Sequence, residues 1–207
     1  MTGSSDDVAA PLPDRARERR RELRDAVSAA ALELVLERGL DAVTVDEIAR
    51  AANVSRRTFF NYFPSKSAAC IPRGFPPDPE ALELFLTDRS VSTMSAVARF
   101  LWRHVELAQR ESGNFHAFHD IWRREPTIRP EIHGVLARTE GHLASLVARR
   151  EGLPACSAAP AAVAAAAIAV LRVAVEQWRT DEAPEQLENR IHECFAAVTE
   201  SVRDPGT

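Results

Sequence analysis

Glycine is scarce, eight in 207 residues, and alternating runs of β-branched residues are nearly absent. Such a chain has little with which to build hairpins and pleated faces, so a strand-based fold is not expected. Cysteine is limited to Cys70, Cys156 and Cys194. Their number is odd and their spacing fits neither a disulfide framework nor a zinc pattern, which points to a reducing, cytoplasmic compartment. No long hydrophobic run is present. The longest, Ala161 to Leu171, is mostly alanine and is shorter than a bilayer requires, so no membrane partner is expected. A Gly-rich phosphate loop, a nucleophile elbow and a carboxylate pair at a telling spacing are all missing, so neither enzymatic activity nor a cofactor is expected.

What is present is helical in character. Ala, Leu, Arg and Glu dominate, and 45% of residues are hydrophobic, enough for a core. The expected fold is all-α. Residues 1–14 are acidic and rich in Pro, Ser and Gly, with no apolar core. They read as a disordered tail, not a signal peptide. The formal charge of −4 argues weakly against nonspecific binding to nucleic acid. The distribution differs from the total: Arg15, Arg17, Arg19, Arg20, Arg21 and Arg24 cluster at the start of the first helix. A local basic face is what phosphate binding needs. Glu18 and Glu22 are interleaved with it, and a solvated helix end explains the run equally well.

The most informative stretch is Thr44 to Lys66. Thr44 followed by Glu47 forms a capping box, in which hydroxyl and carboxylate each satisfy the other residue's amide. Val45, Ile48, Ala49 and Ala52 give a narrow apolar stripe. Asn53 suits the left-handed backbone that ends a helix, and Val54 can plug the angle before a second N-cap, Ser55. The helix Arg56 to Phe63 then offers Phe59, Phe60 and Phe63 to a core. It leaves Arg56, Arg57, Thr58, Asn61 and Tyr62 for water or for DNA. Arginine can meet guanine or phosphate, asparagine can read adenine, and threonine can meet phosphate or a thymine methyl. Pro64 stops the helix, Ser65 caps the next one, and Lys66 stands in its first turn. Two short helices with a polar, basic second member have the layout of a helix-turn-helix. The expected DNA-contacting set is Arg20, Arg21, Thr44, Ser55, Arg56, Arg57, Thr58, Asn61, Tyr62 and Lys66.

From Arg21 to Ser67 the chain resembles the TetR/AcrR family of bacterial transcriptional regulators. The resemblance is carried by Glu37-Arg38-Gly39-Leu40, Thr44-Val45-Asp46-Glu47-Ile48-Ala49, Val54-Ser55 and Phe63-Pro64-Ser65-Lys66. It implies an all-helical homodimer whose N-terminal three-helix domain binds a palindromic duplex DNA operator. A C-terminal domain would bind a small molecule that releases the DNA. The family usually has Gly at Asn53 and Tyr at Phe60, so Phe60 lacks the hydroxyl that often touches a phosphate. Trp122-Arg123-Arg124-Glu125-Pro126 through Arg138, with Trp178-Arg179, loosely resembles a subgroup associated with acyl-CoA-like ligands. For such a ligand Arg123, Arg124 and Arg172 are candidate anchors.

The expected domains are residues 15–66, the helix-turn-helix unit, and 67–203, a helical regulatory and dimerisation unit. Helix 1 is expected from about Arg15 to Arg38, with Leu23, Ala26, Val27, Ala30, Leu34 and Val35 on its core face. Pro72, Gly74, Pro76, Pro77 and Pro79 interrupt the segment where the family usually runs a connecting helix. Further helices are expected near 79–88, 92–111, 114–124, 127–150, 159–179 and 184–202. The last two are the expected dimer element. Ala162, Ala165, Ala166 and Ala169 would allow close approach, and Val163, Val170, Val173, Trp178, Leu187, Ile191, Phe195, Val198 and Val202 would add bulk.

An unidentified effector is expected against Trp102, Phe118 and Trp122, with His119 as anchor, although aromatics at this spacing also build ordinary cores. Two other readings compete. His116, His119 and Asp120, with His104, could form a metal site in a helical metal-dependent enzyme. A DNA-free interaction module would leave the exposed face of the second short helix without a role.

Overall fold

The computed structural model describes residues 14–71, 78–111, 114–178 and 182–202. The expected tail and most of the proline-rich break lie outside these. All regular structure among the described residues is helical: α1 Asp14–Arg38, α2 Val45–Ala51, α3 Arg56–Tyr62, α4 Lys66–Ala69 and α5 Pro79–Thr87 come first. Then come α6 Thr93–Glu111, α7 Phe115–Arg124, a 3₁₀ turn Pro126–Ile128, α8 Arg129–Glu151, α9 Ala158–Gln177 and α10 Pro184–Val202.

Local chemistry sets the boundaries. Gly39, at φ +80°, turns the chain out of α1, a conformation that a Cβ would strain. At α2 the Thr44 amide donates to Glu47 Oε2 at 2.8 Å, and the Glu47 amide donates to Thr44 Oγ1 at 3.3 Å, so the capping box is complete. Asn53 takes φ +53°. Ser55 Oγ accepts from the Thr58 amide and Ser65 Oγ from the Ala68 amide, both at 3.0 Å. Asp78 caps α5, with Pro79 in its first turn.

Two cores result. The first holds Val27, Ala31, Leu32 and Val35 of α1, Ile48 of α2, and Phe59 and Phe63 around α3. It also holds Ala69, Cys70 and Ile71, together with Ile121, Ile128 and Ile132 from α7, the 3₁₀ turn and α8. A division at residue 66 therefore falls inside a continuous core. Ala26, expected on the core face of α1, is exposed, and Leu23 and Leu34 are half-buried. Because α1 is covered from two sides, by α2 and α4 and by α7, its buried face turns towards Ala31 and Leu32. The second core joins α5, α6, α8, α9 and α10 around Phe85, Leu101, Leu143, Val147, Ile168, Trp178, Leu187, Ile191 and Phe195.

Polar ties cross the first core. Glu125 Oε1 accepts from the Leu40 amide at 3.0 Å. A Cβ at Gly39 would lie 3.3 Å from that same oxygen, so glycine there serves the packing as well as the turn. Ser28 Oγ donates to the Ala69 carbonyl at 2.8 Å. Burial, and after it the Glu125 carboxylate, push the Cys70 thiol up to about 12, which leaves it unreactive.

The run Ala161 to Leu171 lies within α9, a helix of 20 residues with a mean hydropathy of 2.1 over its most apolar window. By length and composition alone it could cross a membrane. Pro160 in its first turns and Val173 to Val175 near its end extend the apolar stretch. Ala164, Ala167, Ile168, Val170 and Ala174 are buried, but only 33% of the apolar window is.

Replacing Glu125 by Ala should leave the Leu40 amide without its acceptor. A charge-assisted bond of this kind contributes about 1.5–3 kcal/mol, equivalent to roughly 3–12 °C in a chain of this size. Calorimetry showing an unchanged Tm would contradict the tie.

A second expectation concerns acid. Bonds from the Thr44 hydroxyl and amide, then Arg38, hold the Glu47 carboxyl down to about 2 from 4.5. Because the folded value is the lower one, its stabilisation is present above about pH 4.5 and is lost as pH falls towards 2. The Tm difference between wild type and Glu47→Gln should therefore shrink across that window. A constant difference would refute the assignment.

Candidate nucleic-acid interface and ligand sites

Helix α3 has only seven residues, so at 100° per residue a single stripe can face inward. Phe59 is buried within it, Phe63 is buried at its C-cap, and Tyr62 packs half-buried against the same core. Phe60, expected in the core, is 46% exposed. It lies about 100° from Phe59, whereas positions 59, 62 and 63 share one face. The outward face carries Arg56, Arg57, Asn61 and the half-exposed Thr58.

Each expected contact residue can now be placed. Arg56 pairs with Asp46 at 2.8 Å, both side chains more than half exposed, and its guanidinium lies 5.5 Å from the Phe60 ring centroid. Arg57 is exposed. Thr44 and Ser55 are exposed, with their hydroxyls engaged in the caps. Lys66 is half-buried. Its ammonium donates to the carbonyls of Leu40 at 2.7 Å and Val43 at 3.0 Å, closing the α1–α2 turn. The expectation of a phosphate-facing Lys66 is replaced by this role, because two fixed carbonyls within reach of a long flexible chain capture its charge.

The first turns of α1 run beside α3. Ala16, Arg19, Arg20, Leu23, Thr58, Asn61 and Tyr62 line one shallow hollow. Arg20 lies 5.8 Å from the Tyr62 ring centroid. Arg24 donates to the Tyr62 carbonyl at 3.3 Å and lies 4.6 Å from the Phe63 ring centroid. The structure thus brings Arg20, Thr58, Asn61 and Tyr62 together. Arg21 is exposed but is not among the hollow's lining residues. Arg19 was missing from the expected contact set, although the helical phase of 16, 19, 20 and 23 could have found it.

The four expected ligand residues do not converge. Phe118 and Trp122, with rings 5.9 Å apart, pack against the first core. His119 points the other way along α7. Its ring lies 5.3 Å from Trp178, and its Nε2 is 2.8 Å from the Val175 carbonyl. Burial holds the His119 imidazole below its ordinary value. Its Nδ1 and the Trp178 indole nitrogen are both buried without a hydrogen-bond partner among the described residues. Trp102 belongs to a different place, a groove of about 290 Å³ between α5 and α6. Side chains i and i+4 on one helix share a face while i+1 turns away, which separates Phe118 and Trp122 from His119.

Among the described residues no three His, Cys, Asp or Glu side chains are grouped to hold a metal. Of the loosely suggested anion anchors, Arg172 pairs with Glu176 at 3.0 Å, while Arg123 and Arg124 are exposed.

A family profile described as bacterial regulatory proteins, tetR family, matches residues 28–68, and one described as the MftR C-terminal domain matches residues 90–203. The chain is 30% identical over 175 residues to a Mycobacterium tuberculosis protein described as a mycofactocin biosynthesis transcriptional regulator. That match covers 83% of this chain and 87% of the relative. It is 31% identical over 144 residues to the HTH-type transcriptional regulator TcmR of Streptomyces glaucescens, covering 64% and 62% of the two chains. A crystal structure of a transcriptional regulator from Rhodococcus sp. superposes with a TM-score of 0.45 at 16% identity, covering 86% of this chain and 96% of that one. The chain belongs to the TetR family of bacterial transcriptional regulators, with a DNA-binding helix-turn-helix ahead of an MftR-type C-terminal domain.

Proposed function

We propose that this regulator is a cytoplasmic, ligand-responsive homodimeric repressor that binds a palindromic operator. The observation that carries the reading is the division of α3: Phe59 and Phe63 are buried while Arg56, Arg57 and Asn61 stay outside, beside the arginines of α1. A seven-residue helix anchored from behind and polar in front is suited to a major groove. Arg57 and Asn61 supply base contacts in this reading. Arg19, Arg20 and Arg21 supply phosphate contacts, and Arg56 exchanges Asp46 for the duplex. Repression and ligand release rest on the family resemblance.

Dimerisation is assigned to α9 and α10, on a narrower face than the sequence suggested. Trp178, Leu187, Ile191 and Phe195 are consumed by the chain's own core. What remains on α9 is an outward stripe of Ala162, Ala165, Ala166, Ala169 and Val173, with Ala196 and Ala197 exposed on α10. Small side chains permit close helix approach, and a two-fold pairing of these helices makes a four-helix interface. Such a dimer would set its two reading helices roughly 34–36 Å apart, one helical turn of DNA.

Selection from random duplexes should yield a palindrome. On it, Arg57→Ala and Asn61→Ala should each cost roughly ten- to a hundredfold in affinity with Tm unchanged. Binding should fall steeply with salt as phosphate contacts release counterions. Gel shifts showing wild-type affinity for both variants, or a flat salt response, would remove the assigned face. In sedimentation the wild type should run as a dimer, and Ala169→Glu combined with Val173→Glu as a folded monomer. A dimer that survives both charges would place the interface elsewhere.

A further inference from the structure

We infer that the α5–α6 groove is a binding site for a small lipophilic cation, an amine or quaternary ammonium on a body about the size of one aromatic ring. Its volume of about 290 Å³ lies at the lower end of small-molecule sites. Leu84, Phe85, Phe100 and Trp102 line it, and Leu84 is 53% exposed there. A large apolar side chain left that open beside three aromatic rings is suited to a ligand body.

The charges around the groove select the sign. Asp78, Glu80 and Asp88 face Arg99 and Arg103, so carboxylates outnumber guanidinium groups. Both arginines are engaged: Arg103 holds Asp78 at 2.9 Å and Glu106 at 2.7 Å, and Arg99 lies 3.6 Å from Asp88. Glu80 has no ion-pair partner among the described residues. The Arg103 hydrogen bond on Asp78 and the Ser90 hydroxyl on Asp88 hold both carboxyls below their ordinary values, so both are charged at neutral pH. An incoming anion would have to break an existing pair and would still meet Glu80. A cation meets the Phe100 and Trp102 rings and the Glu80 carboxylate, the pairing by which ring cages bind quaternary ammonium groups.

The groove is also formed in advance. Arg150, 2% exposed, donates to the carbonyls of Phe85, of Asp88 at 2.7 Å and of Val91 at 3.2 Å. Its guanidinium lies 5.4 Å from the Phe85 ring centroid. These bonds fix the end of α5 and the following turn on α8, so a ligand need not order that wall. The site is independent of the DNA-binding proposal, because binding is measured on the chain alone.

Calorimetric titration of the full chain with benzyltrimethylammonium chloride tests it, with phenylacetate and benzyl alcohol as the anionic and neutral probes of similar size. The cation should bind saturably, one per chain, and at least about tenfold tighter than either other probe. Glu80→Gln should weaken it about two- to fivefold, the effect of one carboxylate near water. Leu84→Lys, also at a surface position, should abolish it while the circular dichroism melt stays that of the wild type. Equal or tighter binding of phenylacetate or benzyl alcohol, no saturation by the cation, or unchanged affinity in Glu80→Gln would each overturn the assignment.

Discussion

The reading helix depends on a core that its own domain does not complete. Phe59 and Phe63 can turn inward only if enough apolar surface awaits them, and the core around them is completed by residues from outside α1 to α4. Ile121, Ile128 and Ile132, each buried to 4% exposure or less, close that core from the far side of the sequence. A fully buried isoleucine contributes about 1.5–3 kcal/mol. Three of them are a large fraction of the net stability of any small domain. The orientation of α3 is therefore tied to where α7 and the start of α8 sit.

This makes α7 and α8 the elements common to both halves. One face of α7, through Phe118, Ile121 and Trp122, belongs to the DNA-binding core. Its C-terminal end carries Glu125 to the Leu40 amide. Another face sets His119 on the Val175 carbonyl and against Trp178, at the end of α9. Packed cores move as rigid pieces and do not deform smoothly, so a shift of α7 against α9 is felt at Leu40 and in the packing behind Phe59. The two halves are joined by α7 through side-chain contacts and by α8, which carries Ile132 into the first core and Leu143 and Val147 into the second.

Features governed by neighbours in sequence were legible before any coordinates. The capping box at Thr44, the caps at Ser55 and Ser65, the left-handed Asn53, the stop at Gly39 and the helix positions all depend on groups within four residues. Features governed by what a side chain meets across the fold were not. Phe60 and Tyr62 are both aromatic, and only the direction of the core decides which is hidden. Lys66 looked like a phosphate ligand because the Leu40 and Val43 carbonyls lie more than 20 residues away in sequence. Arg150 gave no sign that it would be buried on three carbonyls. The apolar residues of α10 were visible as a stripe, but a stripe does not say whether it serves its own chain or a second copy.

An acidic protein can still present a face for polyanions, and the distribution of charge here shows how. Around α3, Arg19, Arg20, Arg21, Arg56 and Arg57 are exposed, and Asp46 pairs with Arg56 in a bond in which both partners are more than half in water. Such pairs contribute little, about 0–1 kcal/mol, so a phosphate replacing Asp46 gives up almost nothing. The stronger carboxylate interactions are placed elsewhere. Glu47 is locked into the capping box and Arg38, and Glu125 into the α1–α2 turn. In the proposed binding mode, over one Debye length, about 8 Å at physiological salt, a duplex would meet the arginines of α1 and α3. It would not meet the whole chain's formal charge. The strong bonds fix the fold where no charge must be exchanged, and the weak one lies where an exchange would be required.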